Sequence, residues 1–179
     1  MRATASVVSK VKPMDAVSWK RDMSISATPG GAVGCTSTGS DLASIGFTFD
    51  TTLAVARMIY DGFFERYQKL RIIAGHGGGT LPYLISRMDQ CFDNIPACRE
   101  KIARRPSEYV PSISADSVVY APEVLALCVQ VFGADNVMYG SDYPHTIGDM
   151  PGCLARVDAL PEPVRDKVRG RNAARVFRF

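Results

Sequence analysis

Short apolar runs that alternate with helical segments constrain the fold of this chain more than any other feature of its sequence. The runs Arg71–Gly75, Ser117–Tyr120 and Asn136–Gly140 have the length and composition of buried strands. Helical spacing resumes between them, over residues 81–92 and again from Pro122 to Gly133. Alternating strands and helices with connections this short predict a parallel sheet with its helices packed outside.

The elements around this alternation follow from caps and spacing. Asp50 is a candidate N-cap for an amphipathic helix that ends near Gln68. The first strand is predicted to be buried on both faces, because it is rich in isoleucine and bounded by glycine. The basic segment Arg99–Arg105 is interpreted as the solvated end of the helix that starts at Leu81, and short helices are expected over residues 163–168 and 172–177.

A change in composition near residue 45 divides the chain. Residues 1–44 are rich in serine, threonine, glycine and alanine and show no sustained period, so we expect an irregular leader there. Residues 45–179 carry the regular pattern and are predicted to form the folded domain.

Composition argues against several functional classes. The formal net charge is +3 and 46% of the residues are hydrophobic, so we expect no nucleic-acid partner. No apolar run approaches the ~20 residues of a membrane helix, and we expect a cytoplasmic protein with no membrane partner. The five cysteines include no CxxC pair, which disfavours a disulfide framework or a structural zinc site.

Polar side chains follow two of the predicted strands. His76 and His145, the two histidines of the sequence, and Asp142 all come shortly after a strand end. The carboxyl ends of parallel strands lie at one edge of a sheet, where barrel enzymes place their catalytic groups. His76 is open to interpretation as a general base, a metal ligand or a histidine bonded to a loop carbonyl. Asp142 can bind a cation, orient a bound water or cap the next turn.

Three consecutive glycines, Gly77–Gly79, follow His76. Such a run occurs where a chain turns tightly or where another group must approach the backbone closely. It can also cradle a phosphate, but no Lys-Ser/Thr pair follows it, which excludes a P-loop.

Several motifs, taken together and in order, resemble those of a known enzyme family. The chain is similar to the amidohydrolase-related family that includes aminocarboxymuconate-semialdehyde decarboxylase and the resorcylate-type decarboxylases, and the resemblance covers about residues 45–179. The motifs are Ile45–Thr52, Gly75–Pro82 with Arg87 and Asp89, Gly140–His145, and Asn172–Phe177.

The resemblance implies a fold and a site. It implies the carboxyl-terminal half of a TIM-type (β/α) barrel, an α/β fold, in which a His-x-His pair, a further histidine and an aspartate hold a divalent metal, zinc or manganese. By that resemblance Asp142 is the metal ligand from the last strand and a catalytic residue, and His76 is the catalytic acid or base. His145 and Arg87 are then expected to bind the substrate, a small aromatic or unsaturated carboxylic acid.

One departure from the family pattern affects the expected activity. No His-x-His pair occurs in the sequence, and no histidine precedes His76. A complete barrel needs ~250 residues, and the family-like part supplies about half of that. We therefore expect a truncated member of the family, a metal-dependent decarboxylase or hydrolase. The alternative is a catalytically inactive half-barrel, in which the metal is not retained and which depends on a partner chain or on a homo-oligomer.

Overall fold

The computed structural model of the protein describes residues 42–179, in which helices alternate with short strands. Residues 1–41, which make up most of the predicted leader 1–44, therefore lie outside the described residues. A π-helical turn, Leu42–Gly46, leads into the first helix. The helices are α1 Phe47–Tyr60, α2 Phe63–Arg66, α3 Leu81–Asn94, α4 Pro122–Phe132, α5 Met150–Asp158, α6 Val164–Asp166 and α7 Asn172–Phe177; the strands are β1 Ile72–Ala74, β2 Ile113–Asp116 and β3 Val137–Met138.

The three strands form one parallel sheet in the order β1-β2-β3. Ile72 pairs with Ile113, and Ala115 pairs with Val137. The predicted parallel sheet with intervening helices is confirmed, and α4 begins at Pro122 and ends before Gly133 as its caps predict. None of the helices within residues 42–179 is long and apolar enough to cross a membrane.

The second strand lies four residues earlier than its apolar pattern predicts. The structure places it at Ile113–Asp116 instead of Ser117–Tyr120. Ser114 and Asp116 interrupt the apolar pattern, yet Ser114 is buried because neighbouring strands and helices cover both faces of β2. Residues 117–119 are buried as well, but they follow the strand.

Three further expectations are wrong for local reasons. Asp50 is not an N-cap, because Gly46 already has helical angles and α1 starts at Phe47. The helix also stops before Gln68, since Gly62, with a φ of 68°, separates α1 from α2. Burial of β1 on both faces is wrong too: Ile73 is 45% exposed, whereas Ala74 on the opposite face is buried.

Two differences in the second half of the chain follow from prolines and from a helix cap. The basic segment does not continue α3, which ends at Asn94; Pro96 and Pro106 instead begin 3-10 turns. Helix α5 is absent from the sequence-based prediction. The Asp149 side chain caps it by accepting a hydrogen bond from the Gly152 amide.

The core lies between the sheet and the helices α1, α3 and α4. Its largest fully buried side chains include Tyr109, Ile59, Leu81, Ile113 and Leu125. Cys128 of α4 belongs to this core with 1% of its surface exposed, which confirms the interpretation of this residue as a small buried hydrophobe.

Cys128 should make the stability of the protein sensitive to alkaline pH. Burial raises the pKa of its thiol from the ordinary 9.0 to about 11, and the Asp116 charge adds to the effect. The unfolded state releases this proton near pH 9 and the folded state keeps it, so the stabilisation is present below pH 9 and is lost as the pH rises to about 11. We expect urea titrations to show a fall of roughly 2–3 kcal/mol over that interval. A Cys128→Ala variant should lack this part of the decline; an unchanged slope in the variant would contradict the assignment.

Candidate active site at the carboxyl end of the sheet

His76 lies at a sharp turn directly after β1. Its φ is 56°, a left-handed conformation that non-glycine residues rarely adopt. The turn continues through the three glycines, all with positive φ, and the Gly79 amide donates a hydrogen bond to the His76 carbonyl. The backbone therefore reverses immediately after the strand and leaves the imidazole at the carboxyl edge of the sheet.

A carboxylate from the neighbouring strand holds this turn in place. Asp116, the last residue of β2, accepts the His76 amide at Oδ2 over 3.0 Å and the Gly77 amide at Oδ1 over 2.9 Å. Its Oδ1 also accepts the Val118 amide over 2.9 Å. Hydrogen bonds to a charged acceptor contribute about 1.5–3 kcal/mol each, which offsets the roughly 1–2 kcal/mol cost of a left-handed residue.

Asp116 also explains what the glycine-rich turn does. Successive amides in left-handed conformation form a concave anion-binding nest. Here the anion is the Asp116 carboxylate, so the phosphate alternative for Gly77–Gly79 has no support from the structure. Sequence reasoning missed this residue because it placed the second strand too late; a strand ending at Asp116 would have put it at the same edge as His76.

The glycines are also required by close packing. A Cβ on Gly77 would lie 2.6 Å from Val119 Cγ1, and one on Gly79 would lie 2.2 Å from the Thr48 carbonyl oxygen of α1. The Thr80 amide next to this run donates to Thr52 Oγ1 over 2.8 Å. The glycine run thus packs against α1 and α4, and the close approach expected from the sequence is confirmed.

Asp142 reaches the same edge from β3. It too has a left-handed conformation, with a φ of 61°, and its carbonyl accepts the His145 amide over 2.9 Å. The distance from His76 Nε2 to Asp142 Oδ1 is 3.8 Å, and the two side chains are 33% and 15% exposed. The structure therefore brings together the two residues that the sequence singled out, at the end of the sheet where we expected them. This distance of 3.8 Å is longer than a hydrogen bond, so both side chains remain available to bind a third group between them.

Aromatic side chains lie beside this pair. The Phe47 ring lies nearly parallel to the His76 imidazole, with an angle of 17° between the planes and 6.4 Å between the centroids. Tyr120 donates its hydroxyl to the Ile147 carbonyl over 3.1 Å. Burial, followed by the nearby Asp142 charge, raises the pKa of Tyr120. Phe47 and Tyr120 are about half exposed, so they present an apolar rim beside the two polar groups.

The other two predicted site residues are placed differently. His145 belongs to the same turn as Asp142 through its backbone, but its side chain is exposed. Arg87 is exposed near the middle of α3, and the structure does not bring it to the His76–Asp142 pair. Their substrate-binding roles stay predictions.

The described residues alone do not fit a divalent metal ion. Residues 42–179 contain no group of three or more histidine, cysteine, aspartate or glutamate side chains close enough to share an ion. His76 Nδ1 is buried without a hydrogen-bond partner in this part of the chain, which leaves Nε2 as the nitrogen that faces Asp142. Two donors fall short of the three or more protein ligands found in catalytic zinc sites.

The amino-acid sequence of this chain is similar to those of known proteins. The amidohydrolase family matches residues 18–179. The 2-amino-3-carboxymuconate-6-semialdehyde decarboxylase of Dictyostelium discoideum is 33% identical over 132 residues, which cover 72% of this chain and 37% of the relative. A gamma-resorcylate decarboxylase of Rhizobium is 26% identical, covering 74% of this chain and 42% of the relative. The chain thus spans less than half the length of these curated relatives.

A solved decarboxylase structure is similar to this chain in both sequence and fold. The 5-carboxyvanillate decarboxylase of Novosphingobium aromaticivorans, complexed with manganese and 4-hydroxy-3-methoxy-5-nitrobenzoic acid, superposes with a TM-score of 0.65 and is 29% identical. The match covers 75% of this chain and 40% of that one. The three-stranded parallel sheet and its helices therefore form part of a (β/α) barrel, as the sequence predicts.

Proposed function

Because this chain belongs to the amidohydrolase family, which it matches over residues 18–179, we propose that it supplies half of the active site of a metal-dependent decarboxylase. The proposed substrates are small aromatic or unsaturated carboxylic acids. The observation that carries the proposal is the His76–Asp142 pair, which faces a common space from the carboxyl ends of β1 and β3. In parallel barrels this end of the sheet holds the catalytic residues.

His76 is proposed to act as the acid or base. Decarboxylation replaces a carboxylate with a proton on the same carbon, so a proton donor must reach that carbon. Imidazole exchanges protons near neutral pH, and His76 turns Nε2 toward Asp142, whereas its Nδ1 is buried.

Asp142 is proposed as a ligand of the divalent metal. Manganese in the Novosphingobium relative supports a divalent ion of this kind, and zinc remains the second candidate. The remaining ligands must come from outside the described residues, since Asp142 and His76 are the two donors that face each other here.

Substrate binding is proposed for His145 and Arg87, with the apolar rim contacting the ring or unsaturated chain. Phe47 offers an exposed aromatic face beside the His76 imidazole, which suits a planar substrate. His145 is exposed in the turn that carries Asp142 and is able to meet an anionic carboxylate, whereas Arg87 is exposed on α3, which the structure does not bring to the pair, and is the weaker candidate.

A second candidate is an inactive half-barrel that depends on a partner chain. Two observations favour it within residues 42–179: the site has two donors, and Ile73 is 45% exposed on β1 at the edge of the sheet. Exposed apolar side chains beside an open strand edge favour association with another chain. Under this proposal the 179-residue chain alone has no activity.

A grafted enzyme tests the proposal. In it, residues 45–179 of this chain replace the matching segment of the Dictyostelium relative, whose remaining sequence is kept. We expect the grafted enzyme to bind manganese and to release carbon dioxide from the relative's substrate. The isolated 179-residue chain should bind no stoichiometric manganese or zinc and show no turnover. A folded graft that binds no metal and is inactive would overturn the decarboxylase proposal, and hydrolysis without carbon dioxide release would reassign the reaction.

A further inference from the structure

The Asp116 carboxylate, which no proposed step uses, lies between the loops that carry His76 and Asp142. On one side Oδ2 accepts the His76 amide and Oδ1 accepts the Gly77 amide, over 3.0 and 2.9 Å. On the other side the Asp142 loop packs against the same residue, because a Cβ on Gly140 would lie 3.0 Å from Asp116 Cβ. One side chain therefore contacts the backbone of both loops.

Three contacts hold the His76 backbone and ring. They are the amide bond to Asp116, the bond from the Gly79 amide to the His76 carbonyl, and the nearly parallel Phe47 ring. The Gly79 bond is local to the turn, and Phe47 is half exposed. Of these three contacts, only the bond to Asp116 connects the turn to the neighbouring strand β2. Through Gly140 it also connects the turn to the Asp142 loop.

We infer that Asp116 is a positioning residue: it holds His76 in its left-handed conformation and so sets the distance between Nε2 and Asp142. This role depends on the proposed role of His76 in the reaction. Asp116 itself faces backbone amides and does not touch the reacting atoms.

The Asp116→Asn variant isolates this contact. An amide side chain has one acceptor oxygen and one NH2 group. If the oxygen takes the Oδ1 position, it keeps the bonds from Gly77 and Val118, while the NH2 group opposes the His76 N–H. This orientation keeps two of the three bonds, so we expect selective loss of the His76 contact.

Amide hydrogen exchange of the 179-residue chain measures that loss. In Asp116→Asn the His76 amide should exchange at least about tenfold faster, while the Gly77 and Val118 amides change little. Glu65→Gln is the matched control. It changes a carboxylate of α2 that accepts the Ala103 amide over 2.9 Å, 38 residues away in the chain, and it should leave His76 unchanged. Unchanged exchange at His76, or equal acceleration throughout the sheet, would overturn the inference.

Kinetics of the grafted enzyme provide the functional readout. Asp116→Asn should lower kcat at least about tenfold with KM nearly unchanged, since the substrate contacts remain and the proton donor is displaced. Glu65→Gln should leave both constants near those of the unsubstituted graft. Faster exchange at His76 with an unchanged kcat would overturn the positioning role. If the unsubstituted graft is inactive, the decarboxylase proposal fails, and the exchange measurements still decide whether Asp116 holds His76.

Discussion

Replacing His76 with alanine in the grafted enzyme should lower kcat by about 10²–10⁴-fold, the usual contribution of a positioned general acid or base. The substitution removes Nε2, the nitrogen that faces Asp142, and leaves the backbone bonds of the turn available. Bound manganese should be retained, because His76 is proposed to move a proton and not to hold the ion. Stopped assays of carbon dioxide release, with metal content measured on the same samples, check both points.

Asp142→Ala should differ from His76→Ala in its metal content. Loss of a ligand should release manganese as well as abolish turnover. His145→Ala serves as a control for the loop, because its exposed side chain is proposed to contact substrate and its backbone makes the turn. It should raise KM with little change in kcat. If Asp142→Ala kept stoichiometric manganese, Asp142 would not be a ligand.

Gly79→Ala should strongly destabilise the protein. Its φ of 65° disfavours any side chain, and the new Cβ would lie 2.2 Å from the Thr48 carbonyl oxygen and 2.6 Å from Thr52 Oγ1. The strained backbone and the overpacking together should lower the free energy of unfolding by about 2–5 kcal/mol. Urea titration followed by circular dichroism measures the change.

Gly170→Ala is the matched control for that substitution. Gly170 lies in the π-helical turn Lys167–Arg171, and no heavy atom apart from those of its own turn lies within 4 Å of its Cβ position. Alanine there should be neutral or should stabilise the protein by up to about 1 kcal/mol. Equal effects of the two substitutions would show that the glycine turn does not pack against α1 as described.

Local sequence patterns predicted the elements whose signals are complete within a few residues. Helix α4 begins and ends as Pro122 and Gly133 indicate, and the glycine break after β1 is a tight, closely packed turn. Local signals failed where neighbours decide the outcome. Ser114 interrupts an apolar run but is buried in β2 by adjacent strands, and Ile73 is apolar but half exposed at the sheet edge.

The sequence by itself determined that His76 and Asp142 follow strands of one parallel sheet, because the carboxyl ends of parallel strands share an edge whatever the details of packing. The tertiary structure decided how these residues are held. Asp116 is 40 residues from His76 in the chain, and its carboxylate fills the nest of amides only once β1 and β2 are paired. Such a contact leaves no periodic signal in a single sequence, since hydrogen bonds between a side chain and a distant backbone depend on folded geometry.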